Sequence, residues 1–145
     1  PDFTLLDQNS NAVTLSALRG QKVLIYFYPK ASTPGCTTQA CGLRDTAAEF
    51  AALNTRVLGI SPDAPAKLKK FEDKQQLNFT LLADETHQVA DAFGVWGPKK
   101  FMGKSFDGIH RISFLIDEHG VIQHVFDDFK TSNHHDVVLA YLKSA

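Results

Sequence analysis

An α/β sandwich, with a mixed central β-sheet flanked by helices, is the fold class this sequence predicts. Three observations predict it. Lys22–Tyr28, KVLIYFY, is a near-continuous apolar run rich in branched and aromatic residues, as a strand covered on both faces requires. Such runs alternate with segments of helical period along much of the chain. Towards the end, two strand-like runs flank Asp117-Glu118-His119-Gly120, a hairpin signal, before a final helical segment.

The elements follow in order. Phe3–Leu6 and Val13–Leu15, around polar Asp7–Asn11, predict an N-terminal β-hairpin. Pro29 ends the KVLIYFY strand. From Pro34 to about Leu53 the apolar residues Cys36, Ala40, Leu43, Ala47, Phe50 and Leu53 recur at three and four, as on one helix face. Arg56–Ile60 is a second buried strand, closed by Ser61-Pro62-Asp63. Ala64–Gln76 is an amphipathic helix, Phe79–Leu82 a third strand, and Thr86–Phe93 a short helix stopped by Gly94. Gly94–Gly108 reads as a Gly-rich, aromatic loop region. Ile109–Ile116 and Val121–Phe126 are the hairpin strands, and His134–Ser144 is the last helix. This order fits the thioredoxin-like layout.

The totals bound the function. A chain of 145 residues suits one domain, residues 1–145, with a core that needs no disulfide or metal. Its net charge of −1 gives no general pull toward nucleic acid or anionic membrane, and no apolar run approaches a membrane span. The opening PDFTLLDQ has neither a basic nor an apolar leader region. It begins inside a strand-like pattern, so a few residues are expected to precede it. Two cysteines do not make a secreted disulfide scaffold, and a reducing, cytoplasmic setting is expected.

Both cysteines fall in YPKASTPGCTTQAC, Tyr28–Cys41. Pro34 suits the first position of a helix and keeps Thr33 outside it, which makes Thr33 the expected N-cap. Gly35 and Cys36 then occupy the second and third positions. Cys36 sits among unpaired backbone N–H groups at the positive end of the helix dipole, where a thiolate is favoured. Gly35 lets a small ligand approach the backbone. As a plain alternative, Cys36 is only a small buried residue at a helix start.

Cys41 lies five residues on, about 7.5 Å along the axis and roughly 140° around it. An intact helix does not bring two such residues into disulfide geometry. The pair is therefore never bonded, or bonded only after the helix start unwinds. A permanent staple is disfavoured, and so is zinc, which lacks a third ligand nearby. A disulfide formed on oxidation, with local opening of the first turn, fits better.

Pro29-Lys30-Ala31-Ser32-Thr33-Pro34-Gly35-Cys36 resembles the peroxiredoxin pattern Pro-x-x-x-Thr-x-x-Cys. Cys41, five residues on, resembles the resolving cysteine of the Q-type subfamily, the bacterioferritin comigratory proteins. GIHRISFLIDEHG, Gly108–Gly120, is similar to the family strand that carries the active-site arginine, here Arg111. FGVWG at 93–97, KSFDGI at 104–109 and VFDDFKTSNHHDVVL at 125–139 are similar to the same subfamily. The resemblance covers nearly the whole chain. It implies a thioredoxin-like fold and a thiol peroxidase acting on hydrogen peroxide and organic hydroperoxides. It implies Cys36 as the peroxidatic sulfur, with Pro29, Thr33 and Arg111 completing its site. It further implies a disulfide with Cys41, recycling by thioredoxin or a similar dithiol, no cofactor, and a monomer. The Gly-Gly-Leu-Gly and Tyr-Phe motifs of the dimeric two-cysteine class do not occur.

A lowered thiol pKa does not by itself make a peroxidase. Going from about 8.5 to about 6 raises the thiolate fraction at neutral pH roughly thirtyfold. Nucleophilicity falls with pKa, and a β of about 0.4–0.5 loses roughly ten- to eighteenfold of that. Fixed donors must therefore stabilise charge moving across the stretched O–O bond. Arg111 has the donors to hold sulfur and oxygen together, and alternation along a strand is expected to fix it on one face. Without the family match it reads as an exposed strand arginine. The Thr33 hydroxyl is expected to accept from helix N–H groups and donate to peroxide, or else to serve as a plain cap. Pro29 shapes the pocket wall or merely ends its strand. Trp96 and Phe101 are candidates for a pocket wall or for a local cluster over the core. Adjacent His134 and His135 point about 100° apart on a helix and make a poor chelate, so no metal is expected. Two other functions compete. A disulfide reductase lacks its Cys-x-x-Cys, and a redox-sensing binding domain on the same fold would report oxidant to a partner.

Overall fold

The computed structural model describes residues 2–144, except for the side chain of Phe101, so that pocket candidate lies outside the described residues. Seven strands form one sheet in the order β2-β1-β5-β4-β3-β8-β9. β3 (Lys22–Phe27), β4 (Thr55–Ser61) and β5 (Thr80–Ala83) run parallel at its centre. β8 (Ser113–Ile116) pairs antiparallel with β3, and β9 (Ile122–Phe126) with β8. On the other side β1 (Thr4–Asp7) pairs antiparallel with β5 and with β2 (Ala12–Thr14), which gives the expected N-terminal hairpin. This is the thioredoxin-like α/β arrangement, and the mixed sheet is as expected.

The period of two along β3 explains its continuous apolar run. Leu24, Tyr26 and Tyr28 face one core cluster, with α1 (Pro34–Asp45), α3 (Pro65–Gln75) and α5 (His134–Ser144). Val23, Ile25 and Phe27 face the other, with Val89 of α4 (Gln88–Ala92), Val95 and Ile109. Cys36 belongs to the first cluster.

Three local expectations need correction. The helix expected from Pro34 to about Leu53 breaks at Thr46, and α2 (Ala47–Ala52) follows. There the Thr46 hydroxyl donates to the Gly42 carbonyl at 2.7 Å, competing with the helical ladder. The apolar period runs on through the break because Leu43 and Phe50 still face the same core.

Second, the region read as a loop, Gly94–Gly108, contains a two-stranded ribbon. β6 (Trp96–Phe101) and β7 (Lys104–Ile109) pair over six positions. Met102 and Gly103, with φ of 52° and 79°, form the two-residue turn that suits the strand twist. Three glycines and Pro98 dilute the strand pattern, and a Met-Gly turn lacks the usual Asn-Gly signature.

Third, Arg111 is not a strand residue. β7 ends at Ile109 and β8 begins at Ser113. Ile112 N–H donates to the His110 carbonyl at 2.9 Å, so Arg111 stands at the apex of a three-residue turn.

Candidate active site

The site is assembled where β3 runs into α1. Tyr28 N–H still bonds the Ile60 carbonyl of β4, and the chain then crosses to the helix through Pro29–Thr33. Buried Asp63 ties this crossing down. One of its carboxylate oxygens accepts from Ala31 N–H and from the Ser61 hydroxyl, each at 2.8 Å. Ser32 takes a left-handed conformation, φ 66°. Thr33 occupies the N-cap position with extended backbone, but its hydroxyl makes no cap bond. It donates instead to the Lys30 carbonyl at 2.9 Å. The expected cap role is thus corrected. The first-turn N–H groups stay free of that side chain, and the hydroxyl oxygen keeps its lone pairs.

Pro34 is the first helical residue, so Cys36 stands in the first turn as expected. Cys36 is 1% exposed. Arg111 reaches it across the sheet end: Nη2 donates to Cys36 Sγ at 3.2 Å. Nη1 donates to Gln39 Oε1 at 2.9 Å. Gln39 is fully buried one turn beyond Cys36, on the same helix face, and its Nε2 has no partner among the described residues. Gly35 eases the approach, because a Cβ there would stand 3.1 Å from Arg111 Nη2. Thr131, in the loop before α5, flanks the same spot. Sequence reasoning missed Gln39 and Asp63; the three-residue spacing from Cys36 was the available signal for Gln39.

In the same core cluster as Cys36, the Tyr26 hydroxyl is buried without a partner among the described residues. Burial pushes its phenol far up, with Tyr28 and Cys36 adding to the effect and Arg111 opposing it. His134 is fully buried and shares a hydrogen bond of 2.8 Å with Ser113 through Nε2. Burial, then His135 and Arg111, pull its pKa down to about 3, so it is neutral at physiological pH. His135 packs its ring over Gly42, where no Cβ would fit. The two histidines face different partners. Among the described residues, no three His, Cys, Asp or Glu side chains converge as a metal site.

Cys41 is half-buried, with Sγ 3.7 Å from Gln75 Oε1 of α3. Both sulfurs are free thiols on an unbroken α1. Pro29 is half-buried at the start of the crossing. Trp96 stacks on His87 at 3.8 Å with 3° between the rings. It packs against the second core cluster, whereas Cys36 lies in the first.

Comparison with known proteins decides the family. The AhpC/TSA family model matches residues 1–125. The chain belongs to the peroxiredoxins. Peroxiredoxin Bcp of Escherichia coli is 65% identical over 143 residues, covering 99% of this chain and 92% of that one. Among solved structures, the bacterioferritin comigratory protein of Xanthomonas campestris superposes with a TM-score of 0.92 at 34% identity, over 98% of this chain and 90% of that one. Peroxidoxin BcpB of Mycobacterium tuberculosis gives 0.87 at 37% identity, over 99% and 93%. This peroxiredoxin is therefore of the Q type, with the thiol peroxidase activity of its family. Among its described residues, no helix is long and apolar enough to cross a membrane.

Proposed function

We propose that this peroxiredoxin reduces hydrogen peroxide and organic hydroperoxides at Cys36, forms a Cys36–Cys41 disulfide, and is recycled by thioredoxin or a similar dithiol. The observation that carries the reading is the 3.2 Å contact from Arg111 Nη2 to Cys36 Sγ at the mouth of α1. The Cys36 thiolate attacks the nearer peroxide oxygen. The O–O bond breaks, and hydroxide or alkoxide leaves and takes up a proton. Cys36 becomes a sulfenic acid. Arg111 holds the negative charge as it moves from sulfur to oxygen, and Gln39 fixes the guanidinium from behind. With its own proton engaged by the Lys30 carbonyl, Thr33 offers the peroxide O–H an acceptor. The free N–H groups of the first turn supply further donors. Pro29 walls the hollow.

Resolution follows when the Cys41 thiol displaces the sulfenic hydroxyl, releasing water and forming the disulfide. The first turn of α1 must open for this. That turn has neither a side-chain cap nor an acidic residue to hold it. The dithiol then returns two electrons and two protons, oxidising itself.

Stopped-flow peroxide consumption with mass spectrometry tests the reading. The wild-type protein consumes peroxide and loses two hydrogens through a bond between the two cysteines, and Cys36→Ser abolishes both. Peroxide consumption by Cys36→Ser at the wild-type rate would reject it.

A further inference from the structure

Lys99 lies on β6 between exposed Pro98 and Lys100, yet it is itself half-buried, because alternation along the strand turns it to the inner side of the ribbon. Its stem passes over Gly108, where a Cβ would stand 3.2 Å from Lys99 Cδ. This clearance lets Nζ donate to the Ile109 carbonyl at 2.7 Å. Ile109 ends β7, two residues before Arg111, whose guanidinium donates to Cys36. The carbonyl accepts from one of the ammonium's three N–H groups, which leaves its charge intact at the end of β7. Burial and the Arg111 cation pull the Lys99 pKa down, while the Cys36 sulfur pulls it up, so the ammonium lies within electrostatic reach of both.

We propose that Lys99 is a second cation of the peroxidatic site, a positioning residue whose charge stabilises negative charge on the Cys36 sulfur and on the oxygen leaving it. The inference rests on Cys36 being the sulfur that reduces peroxide. Lys99 acts through its field while Arg111 makes the contacts. Its hydrogen bond to Ile109 keeps that charge at a fixed distance, which a free surface lysine does not do. Lys100 and Lys104 of the same ribbon are exposed, and their charges are screened by water and salt.

Three substitutions separate charge from tethering. Lys99→Gln keeps an N–H for the Ile109 carbonyl without the charge, Lys99→Arg keeps the charge, and Lys99→Met loses both. Each is made in the full chain, and thiolate titration by ultraviolet absorbance uses a Cys41→Ser background, so that one sulfur reports. At low ionic strength, Lys99→Gln and Lys99→Met should slow hydrogen peroxide consumption about fivefold and move the thiolate titration up by about half a pH unit. Lys99→Arg should stay within about twofold of wild type, and added salt should narrow the gap. If Lys99→Gln matches wild type in both rate and titration, Lys99 is only a tether and the proposal falls. A wild-type protein that consumes no peroxide would instead sink the functional reading, and the titration would still decide the role of Lys99.

Discussion

Cys36 and Cys41 share one helix, five residues apart, and meet different chemistry. Cys36 is buried under a guanidinium, in the turn whose N–H groups have no helical partner. Cys41 is half-buried against α3, and its hydrogen-bond partner is the neutral amide of Gln75. A sulfur's task follows from what donates to it. In the proposed mechanism the first attacks, and its surroundings would stabilise charge on sulfur and on a leaving oxygen. In that mechanism the second waits, half-buried and, among the described residues, without a guanidinium donating to it.

The comparison breaks most sharply at Cys41. Cys41→Ser should keep the first round of peroxide reduction at the wild-type rate and lose dithiol-driven turnover. Full turnover in that variant, followed by coupled reductant oxidation, would mean that an external thiol resolves the sulfenic acid. A smaller effect is expected at Gly35. An alanine there pushes on Arg111 Nη2 from 3.1 Å, so the guanidinium must shift by a few tenths of an ångström. Gly35→Ala should slow peroxide reduction about fivefold, roughly 1 kcal/mol of transition-state stabilisation. Its melting temperature should hold or rise, because alanine suits a helix better than glycine. A faster variant would show that the close approach does not matter.

How much of this asymmetry was legible follows from its physical sources. The Thr-Pro-Gly-Cys start of α1 was readable because proline and helix-end rules are local. The strand Lys22–Phe27 and the helix His134–Ser144 were readable because their patterns are long and face full cores. What sequence did not show depends on single backbone turns. The expected alternation put Arg111 on a strand, but a three-residue turn aims it at Cys36. The expected cap at Thr33 gave way to the Lys30 carbonyl, which follows a local chain reversal with Ser32 left-handed. Gln39 looked like any helical glutamine until its partner, 72 residues away, was in place. The β6–β7 ribbon was hidden by its glycines and proline, and with it Lys99.

A further effect is expected on stability rather than on rate, on the buried side of Arg111. Native His134 titrates at about 3, well below its ordinary 6.5. The unfolded chain therefore binds this proton first as pH falls. His134 contributes stability fully above its unfolded value and loses it progressively below, down to its native one. At about pH 5.5 the loss is about 1 kcal/mol relative to neutral pH. Thermal melts should show this slope, and His134→Asn should flatten it while lowering the neutral-pH melting temperature. An equally steep slope in the variant would assign the acid sensitivity elsewhere.

The central claim is that Arg111 stabilises the breaking O–O bond as well as the thiolate. The direct measurement is the stopped-flow peroxide rate of Arg111→Met beside wild type, at a pH where ultraviolet absorbance shows both sulfurs fully ionised. A deficit of about a hundredfold should persist there, the size expected for losing an aimed donor. Equal rates once both sulfurs are thiolate would contradict it.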